Sequence, residues 1–173
     1  AGHKGVIRPG GVQWMTAGRG IIHEEFHSTE FQQTGGTFEM AQLWLNLPAK
    51  HKMDAPKYQP IIGKDIPVTP LKVTNERDAA KVDAKQNTIR VIAGDEATYG
   101  VQGAASTHTP VELLDVRVAA KDVLFDIPIP EGHNTMVFVR RGGIKVGETQ
   151  KQVEQQGVAL MHIGGNVLRL SAT

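Results

Sequence analysis

Short runs of β-branched and aliphatic residues recur along this chain, and glycine, proline, asparagine and aspartate separate them every few residues. Runs of this length and composition are typical of β-strands. The 19 glycines suit tight turns between antiparallel strands, whereas a parallel α/β sheet needs helical crossovers that this sequence hardly provides. The pattern therefore predicts an all-β protein built as a sandwich or jelly roll.

The predicted strands share an apolar run bounded by turn residues. They cover residues 5–7, 12–15, 21–26, 38–47, 89–93, 111–118, 123–128, 134–140, 144–146, 158–162 and 167–171. Residues 75–85 alone have a helical composition, with Asn75 or Asp78 as the candidate N-cap. Because the apolar stripe of this segment is thin, a short surface helix and a solvated loop are both consistent with it.

Composition and charge exclude several classes of protein. The chain has 173 residues, 40% of them hydrophobic, which indicates a globular protein. A net charge of +1 without a basic block gives no basis for direct nucleic-acid binding. Without cysteine, disulfides and thiolate metal sites are excluded, so histidine, aspartate and glutamate remain as the strong metal ligands. No apolar run approaches the roughly 20 residues of a membrane span, and we expect a cytoplasmic protein.

The domain organisation is predicted from a proline-rich and lysine-rich stretch at residues 48–70, which separates two β-rich blocks. We expect residues 1–60 to form one domain, 61–88 a connector and 89–173 a second domain. The chain opens on a Gly-His-Lys-Gly turn that leads straight into apolar residues. This turn would be the middle of a hairpin, so we expect further sequence upstream.

The strongest chemical signal is a histidine and a glutamate two residues apart, His23 and Glu25. On a strand, residues two apart point to the same face, so both side chains could reach one metal ion while Glu24 points away. An imidazole nitrogen and a carboxylate oxygen suit iron, manganese, zinc or copper. The alternative interpretation is an exposed surface pair without a ligand.

The stretch around this pair closely resembles the pirin family of the cupin superfamily. The match is carried by Gln-Trp-Met-Thr-Ala-Gly-Arg-Gly-Ile at residues 13–21, followed by the histidine and glutamate two apart. Similar landmarks continue at residues 42–50, 90–94, 107–110 and 114–116. The resemblance implies two cupin barrels, of the jelly-roll or double-stranded β-helix type, in tandem. It also implies one non-haem iron, bound in the N-terminal barrel.

The resemblance also implies which residues form the site. Pirins hold iron with three histidines and one glutamate, and His23 and Glu25 match the second pair of these ligands. The first pair, a His-x-His motif, has no counterpart here, since His3 falls in the predicted turn and lacks the His-x-His context. Gln42 matches a pocket-lining glutamine, although an alternative is a rim residue bonded to backbone. The chain thus resembles an internal portion of a pirin, with an incomplete first barrel and a truncated second one, and we expect it to bind iron weakly alone.

The resemblance implies a function as a quercetin 2,3-dioxygenase-type oxygenase, acting on a small aromatic substrate such as a flavonol. Glu25 would then be the catalytic base for the flavonol hydroxyl. The alternative is an iron-dependent regulatory protein that binds a protein partner, either a transcription factor or a metabolic enzyme, without catalytic turnover. The resemblance implies a nuclear location for such a protein in a eukaryote. The second block is expected to be a metal-free cupin, because its histidines, His133 and His162, are isolated in sequence.

Overall fold

The structure, a computed structural model, describes residues 5–173 and consists mainly of short strands in antiparallel ladders. The strands are β1 (Val12–Thr16), β2 (Lys57–Ile61), β3 (Val68–Pro70), β4 (Lys72–Val73), β5 (Thr88–Ala93), β6 (Leu113–Arg117), β7 (Phe125–Pro128), β8 (Met136–Phe138), β9 (Ile144–Val146), β10 (Lys151–Val153), β11 (Val158–Leu160) and β12 (Val167–Ala172). The α-helices are α1 (Thr29–Thr34) and α2 (Glu96–Tyr99), and 3-10 helices cover Ala49–His51, Gly63–Asp65 and Glu76–Lys81. The predicted all-β class is confirmed.

The chain divides into two compact units. Unit 1 comprises Ala1–Asp65 and Thr107–Thr109, and unit 2 comprises Ile66–Ser106 and Pro110–Thr173. Residues 61–88, which the sequence predicts as a connector, contain β3 and β4, and these strands pair within unit 2. The domain boundaries drawn from sequence stay a prediction. No helix among residues 5–173 has the length and apolar character needed to cross a membrane.

Unit 2 contains the main hydrophobic core. Its largest sheet has the strand order β10-β9-β12-β7-β4, and a second sheet has the order β3-β5-β6. Along β7, Phe125 and Ile127 are buried while the residues between and after them are partly exposed. This alternation follows from the two-residue period of a strand. The core therefore forms where inward-facing side chains of β7, β5 and β12 meet, including Val91 and Leu170.

One buried polar side chain, Asn87, joins two loops of unit 2. Its amide nitrogen donates to the Asp83 carbonyl at 2.9 Å. Its amide oxygen accepts from the backbone N–H groups of Ala119 and Ala120 at 2.8 and 2.9 Å. With only 2% of its surface exposed, Asn87 satisfies its hydrogen bonds entirely through the backbone of these loops.

Unit 1 is built on the antiparallel pair of β1 and β2, in which Trp14 lies opposite Gln59. The strands predicted at 5–7, 21–26 and 38–47 are wrong, since the backbone there is irregular. Ile22 and Trp44 are 98% and 86% exposed. A strand needs a neighbour to bond its backbone and cover its apolar face, and no strand in the described part of the chain pairs with these segments. Of the predicted N-terminal turn, residues 1–4, including His3, lie outside the described residues.

The other predicted strands are present in the structure, four with shorter bounds, three with longer bounds and one unchanged. The helical segment is a 3-10 helix over Glu76–Lys81, begun by the Asn75 side chain, which accepts from the Arg77 N–H. The structure also contains four strands that the sequence pattern did not predict, β2, β3, β4 and β10. β2 and β3 contain Pro60 and Pro70. Because proline is uncommon inside strands, these segments resemble a connector in the sequence.

Candidate metal centre

His23 and Glu25 lie in the irregular segment that follows β1 and the Gly18–Gly20 corner. Both side chains belong to exposed residues and are open to solvent. The expectation that they share one strand face depended on a strand over residues 21–26, which the structure does not contain. Their joint role as metal ligands stays a prediction, and so does the role of Glu25 as a base.

Gln42 also lies in an irregular stretch, at residues 35–48, and its residue is exposed. The alternating faces predicted for residues 38–47 are absent because this segment is not a strand. Its assignment as a pocket residue stays a prediction. Nearby, the rings of Phe31 and Phe38 contact His27, with ring centroids 5.2 and 4.9 Å from the imidazole.

A different group of ligand side chains does come together in unit 1. His51, Asp54 and His108 place one ligand atom each within 4.8 Å of one another. The Nδ1 atom of His51 lies 2.8 Å from Asp54 Oδ2, and the Nδ1 atom of His108 lies 3.6 Å from the same oxygen. The two imidazole ring centroids are 5.0 Å apart. Two imidazoles therefore converge on one carboxylate oxygen.

The position of His51 and Asp54 follows from a tight turn. The 3-10 helix Ala49–His51 begins after Pro48, whose carbonyl accepts from the His51 N–H at 2.9 Å. The Asp54 N–H then donates to the His51 carbonyl at 3.2 Å. These bonds bring side chains three residues apart in sequence to the same side of the turn.

The Gly18–Gly20 corner holds this turn in place. The Arg19 N–H donates to the Asp54 carbonyl at 3.0 Å. Gly18 has a positive φ of 51°, and a Cβ atom on it would collide with the same carbonyl oxygen. Because glycine alone tolerates both the conformation and the close approach, the corner in the 13–21 motif positions Asp54 through the backbone.

The local sequence does not indicate this group. His51 lies in the proline-rich and lysine-rich stretch at residues 48–70, and His108 lies in the separate landmark at residues 107–110. The three-residue spacing of His51 and Asp54 is a signal that could have been used, since it fits one helical turn. His108 could not have been found in this way, because only the fold brings residues 107–109 into unit 1.

In unit 2, His133 and His162 line one shallow cleft, together with Thr135 and Met161. In the sequence, neither histidine has a second metal-ligand residue close by. The fold nevertheless brings both histidines to one cleft. The expectation that this block binds no metal stays a prediction.

A carboxyl group of unit 2, Glu112, is held in an environment that disfavours its charge. Its Oε2 atom is buried and has no hydrogen-bond partner among the described residues. Burial raises the pKa of Glu112, and the charge of Asp95 adds to the rise, while the Tyr99 hydroxyl acts in the opposite direction. Burial, followed by the charge of Glu112, also raises the pKa of Tyr99.

We expect the variant Glu112→Gln to flatten the pH dependence of stability. Because the folded-state pKa of Glu112 lies above its unfolded value, this group favours folding at low pH, and the contribution is lost as pH rises through the folded pKa. Between the ordinary value of 4.5 and neutral pH, the variant should therefore lose less stability than the parent. Urea midpoints across this range measure the effect, with the exposed Glu131→Gln as control. Parallel curves for parent and Glu112→Gln would contradict it.

Comparisons with known proteins support the resemblance found in the sequence. The family model of pirin matches residues 1–45. A Pseudomonas aeruginosa protein that is named, provisionally, as a quercetin 2,3-dioxygenase is 42% identical over 172 residues, which cover 99% of this chain and 54% of that protein. Pirin of Homo sapiens is 32% identical over 170 residues, covering 96% of this chain and 51% of its own length. The chain thus spans about half the length of the curated relatives it matches.

A solved structure agrees with these matches. The crystal structure of quercetin 2,3-dioxygenase from Acinetobacter baumannii superimposes with a TM-score of 0.82 at 42% identity, covering 96% of this chain and 52% of that one. Together with the antiparallel sheets, this likeness defines the chain as an all-β protein of the cupin fold. Within that class, the chain belongs to the pirin family.

Proposed function

We propose that this chain is part of a pirin-type, iron-dependent dioxygenase that cleaves flavonols. The observation that carries the proposal is the match of residues 1–45 to the family model, since this segment contains both His23 and Glu25. The likeness to a quercetin 2,3-dioxygenase over 96% of the chain supports it.

The donor types of this pair fit iron. An imidazole nitrogen and a carboxylate oxygen are ligands that non-haem iron accepts, and both residues are exposed, so a metal can reach them. Among the described residues, no further histidine or acidic side chain forms a group of three with them. The pirin resemblance implies two more imidazoles, from a His-x-His strand that precedes His23.

In the proposed reaction, His23 binds as a neutral imidazole, whose second ring nitrogen is oriented by a hydrogen bond. Glu25 takes the proton from the flavonol hydroxyl when its carboxylate is free to do so. When bound, the iron supplies open coordination positions for dioxygen and the flavonol. Gln42 is proposed to orient the substrate through its side-chain amide.

Iron content and turnover test the proposal. We compare residues 1–173 with a form extended upstream through a His-x-His strand, measuring iron by elemental analysis and dioxygen uptake with quercetin. The extended form should bind near-stoichiometric iron and turn over, whereas residues 1–173 should retain little iron, because two ligands of four leave the metal weakly held.

Variants of the extended form then test the roles of His23 and Glu25 in iron binding and turnover. His23→Ala and Glu25→Gln should each lower turnover by about 100-fold or more, whereas Glu24→Gln, the neighbouring carboxylate, serves as the matched control. Unchanged iron and turnover in His23→Ala would contradict the proposal. Iron binding without any flavonol turnover in the extended parent would favour the regulatory alternative.

A further inference from the structure

We propose that His51, Asp54 and His108 form a separate binding site in unit 1 for a divalent transition metal of the zinc type. All three residues belong to unit 1, and none is among the pirin ligands named above. The proposal does not depend on the flavonol reaction, since it concerns different side chains.

The separations of the ligand atoms are close to what a metal requires. Bonds of about 2.0–2.2 Å in a tetrahedral site place neighbouring ligand atoms about 3.3–3.5 Å apart. The His108 Nδ1 to Asp54 Oδ2 distance of 3.6 Å already matches this spacing. The His51 contact of 2.8 Å has to open by only about 0.5 Å, which a small side-chain rotation provides.

The donor set points to the class of metal. Two imidazoles and one carboxylate are the protein ligands of many zinc sites, which leave a fourth position for water. Zinc also binds nitrogen and oxygen donors more tightly than iron(II) does. The side chains of His51, Asp54 and His108 are 27%, 38% and 29% exposed, so an ion can enter and a water molecule can complete the coordination.

The backbone restrains two of the three ligands before any metal arrives. The 3-10 turn fixes His51 relative to Asp54, and the Arg19 N–H and the close approach of Gly18 fix the Asp54 carbonyl. A ligand set that is already arranged loses less entropy on binding than one on a flexible loop. His108 completes the set from a segment distant in sequence.

Titration of the metal-free chain with Co²⁺ tests the proposal, because tetrahedral Co²⁺ has strong visible absorption and Zn²⁺ then displaces it. We expect one equivalent to bind. His51→Gln, Asp54→Asn and His108→Gln should each weaken binding by about 100-fold or more. His162→Gln, the same change in unit 2 and outside the site, should leave affinity within about twofold. A parent without Co²⁺ absorption, or unchanged affinity in His108→Gln, would overturn the proposal.

A second measurement uses the unmodified chain and is independent of any effect of the variants on folding. Imidazoles are modified with diethyl pyrocarbonate, with and without Zn²⁺, and the sites are quantified by mass spectrometry. Zn²⁺ should protect His51 and His108 but not His162, which is exposed in unit 2. Equal modification of His51 and His108 with and without Zn²⁺ would likewise overturn the proposal.

Discussion

Replacing Phe125 by alanine is expected to lower the free energy of unfolding of unit 2 by about 3–5 kcal/mol. The Phe125 side chain is fully buried in the core of unit 2, on β7, which pairs with β4 and β12. Its removal loses the transfer free energy of the ring and leaves a cavity that the neighbouring strands can fill only in part. Since a small domain has only about 5–15 kcal/mol of stability, this loss is a large share of the total.

The matched control is Phe138→Ala, the same change on β8, where the side chain is 50% exposed. It should cost about 1 kcal/mol, because much of the ring already contacts water. Far-UV circular dichroism in urea should follow the transition, because both tryptophans, Trp14 and Trp44, belong to unit 1 and do not report on unit 2. Equal losses in the two variants would show that Phe125 is not at the centre of the core.

The second large effect is expected for Asn87→Ala, which should destabilise unit 2 by about 2–3 kcal/mol. The change removes three hydrogen bonds at once, those to the Asp83 carbonyl and to the N–H groups of Ala119 and Ala120. The N–H groups of Ala119 and Ala120 lose their partner, whereas the Asp83 carbonyl still accepts from the Gln86 and Asn87 N–H groups. The loss comes from these two bonds and from the space left at the buried position of Asn87.

Asn134→Ala, at an exposed position, is the control and should change stability by less than about 0.5 kcal/mol. Amide hydrogen exchange adds a local measurement, because Ala119 and Ala120 should exchange faster in Asn87→Ala than in the parent. If their exchange rates and the urea midpoint both stay at the parent values, the joining role assigned to Asn87 is wrong.

The sequence predicted the strands of unit 2 well where both the strand and its partner carry regular apolar patterns. The predicted segments 89–93 and 144–146 correspond closely to β5 and β9. The segments 21–26 and 38–47 were predicted as strands on the same kind of pattern, yet they are irregular. Propensity alone cannot decide this, because a strand is stabilised by the neighbour that bonds it.

The candidate sites also differ in whether a local sequence pattern indicates them or only the fold creates them. The motif at residues 13–21 identified the family and indicated His23 and Glu25, a local pair. The convergence of His108 on Asp54 depends on contacts between residues 54 positions apart in the numbering, and no local pattern encodes such a contact. The Gly18–Gly20 corner could be predicted only in part. Its glycines indicate a turn in the sequence, but only the structure gives its contact with Asp54.

The place of β12 in the larger sheet has a consequence for how unit 2 forms during synthesis. This strand lies between β9 and β7, so residues 167–172 join two parts of the sheet that otherwise do not pair. Until the ribosome has released these residues, β4 with β7 and β9 with β10 can form only separate ladders, and Phe125 and Val146 lack their cover. We therefore expect unit 2 to complete its folding after translation has passed residue 172, in a slow step set by long-range pairing.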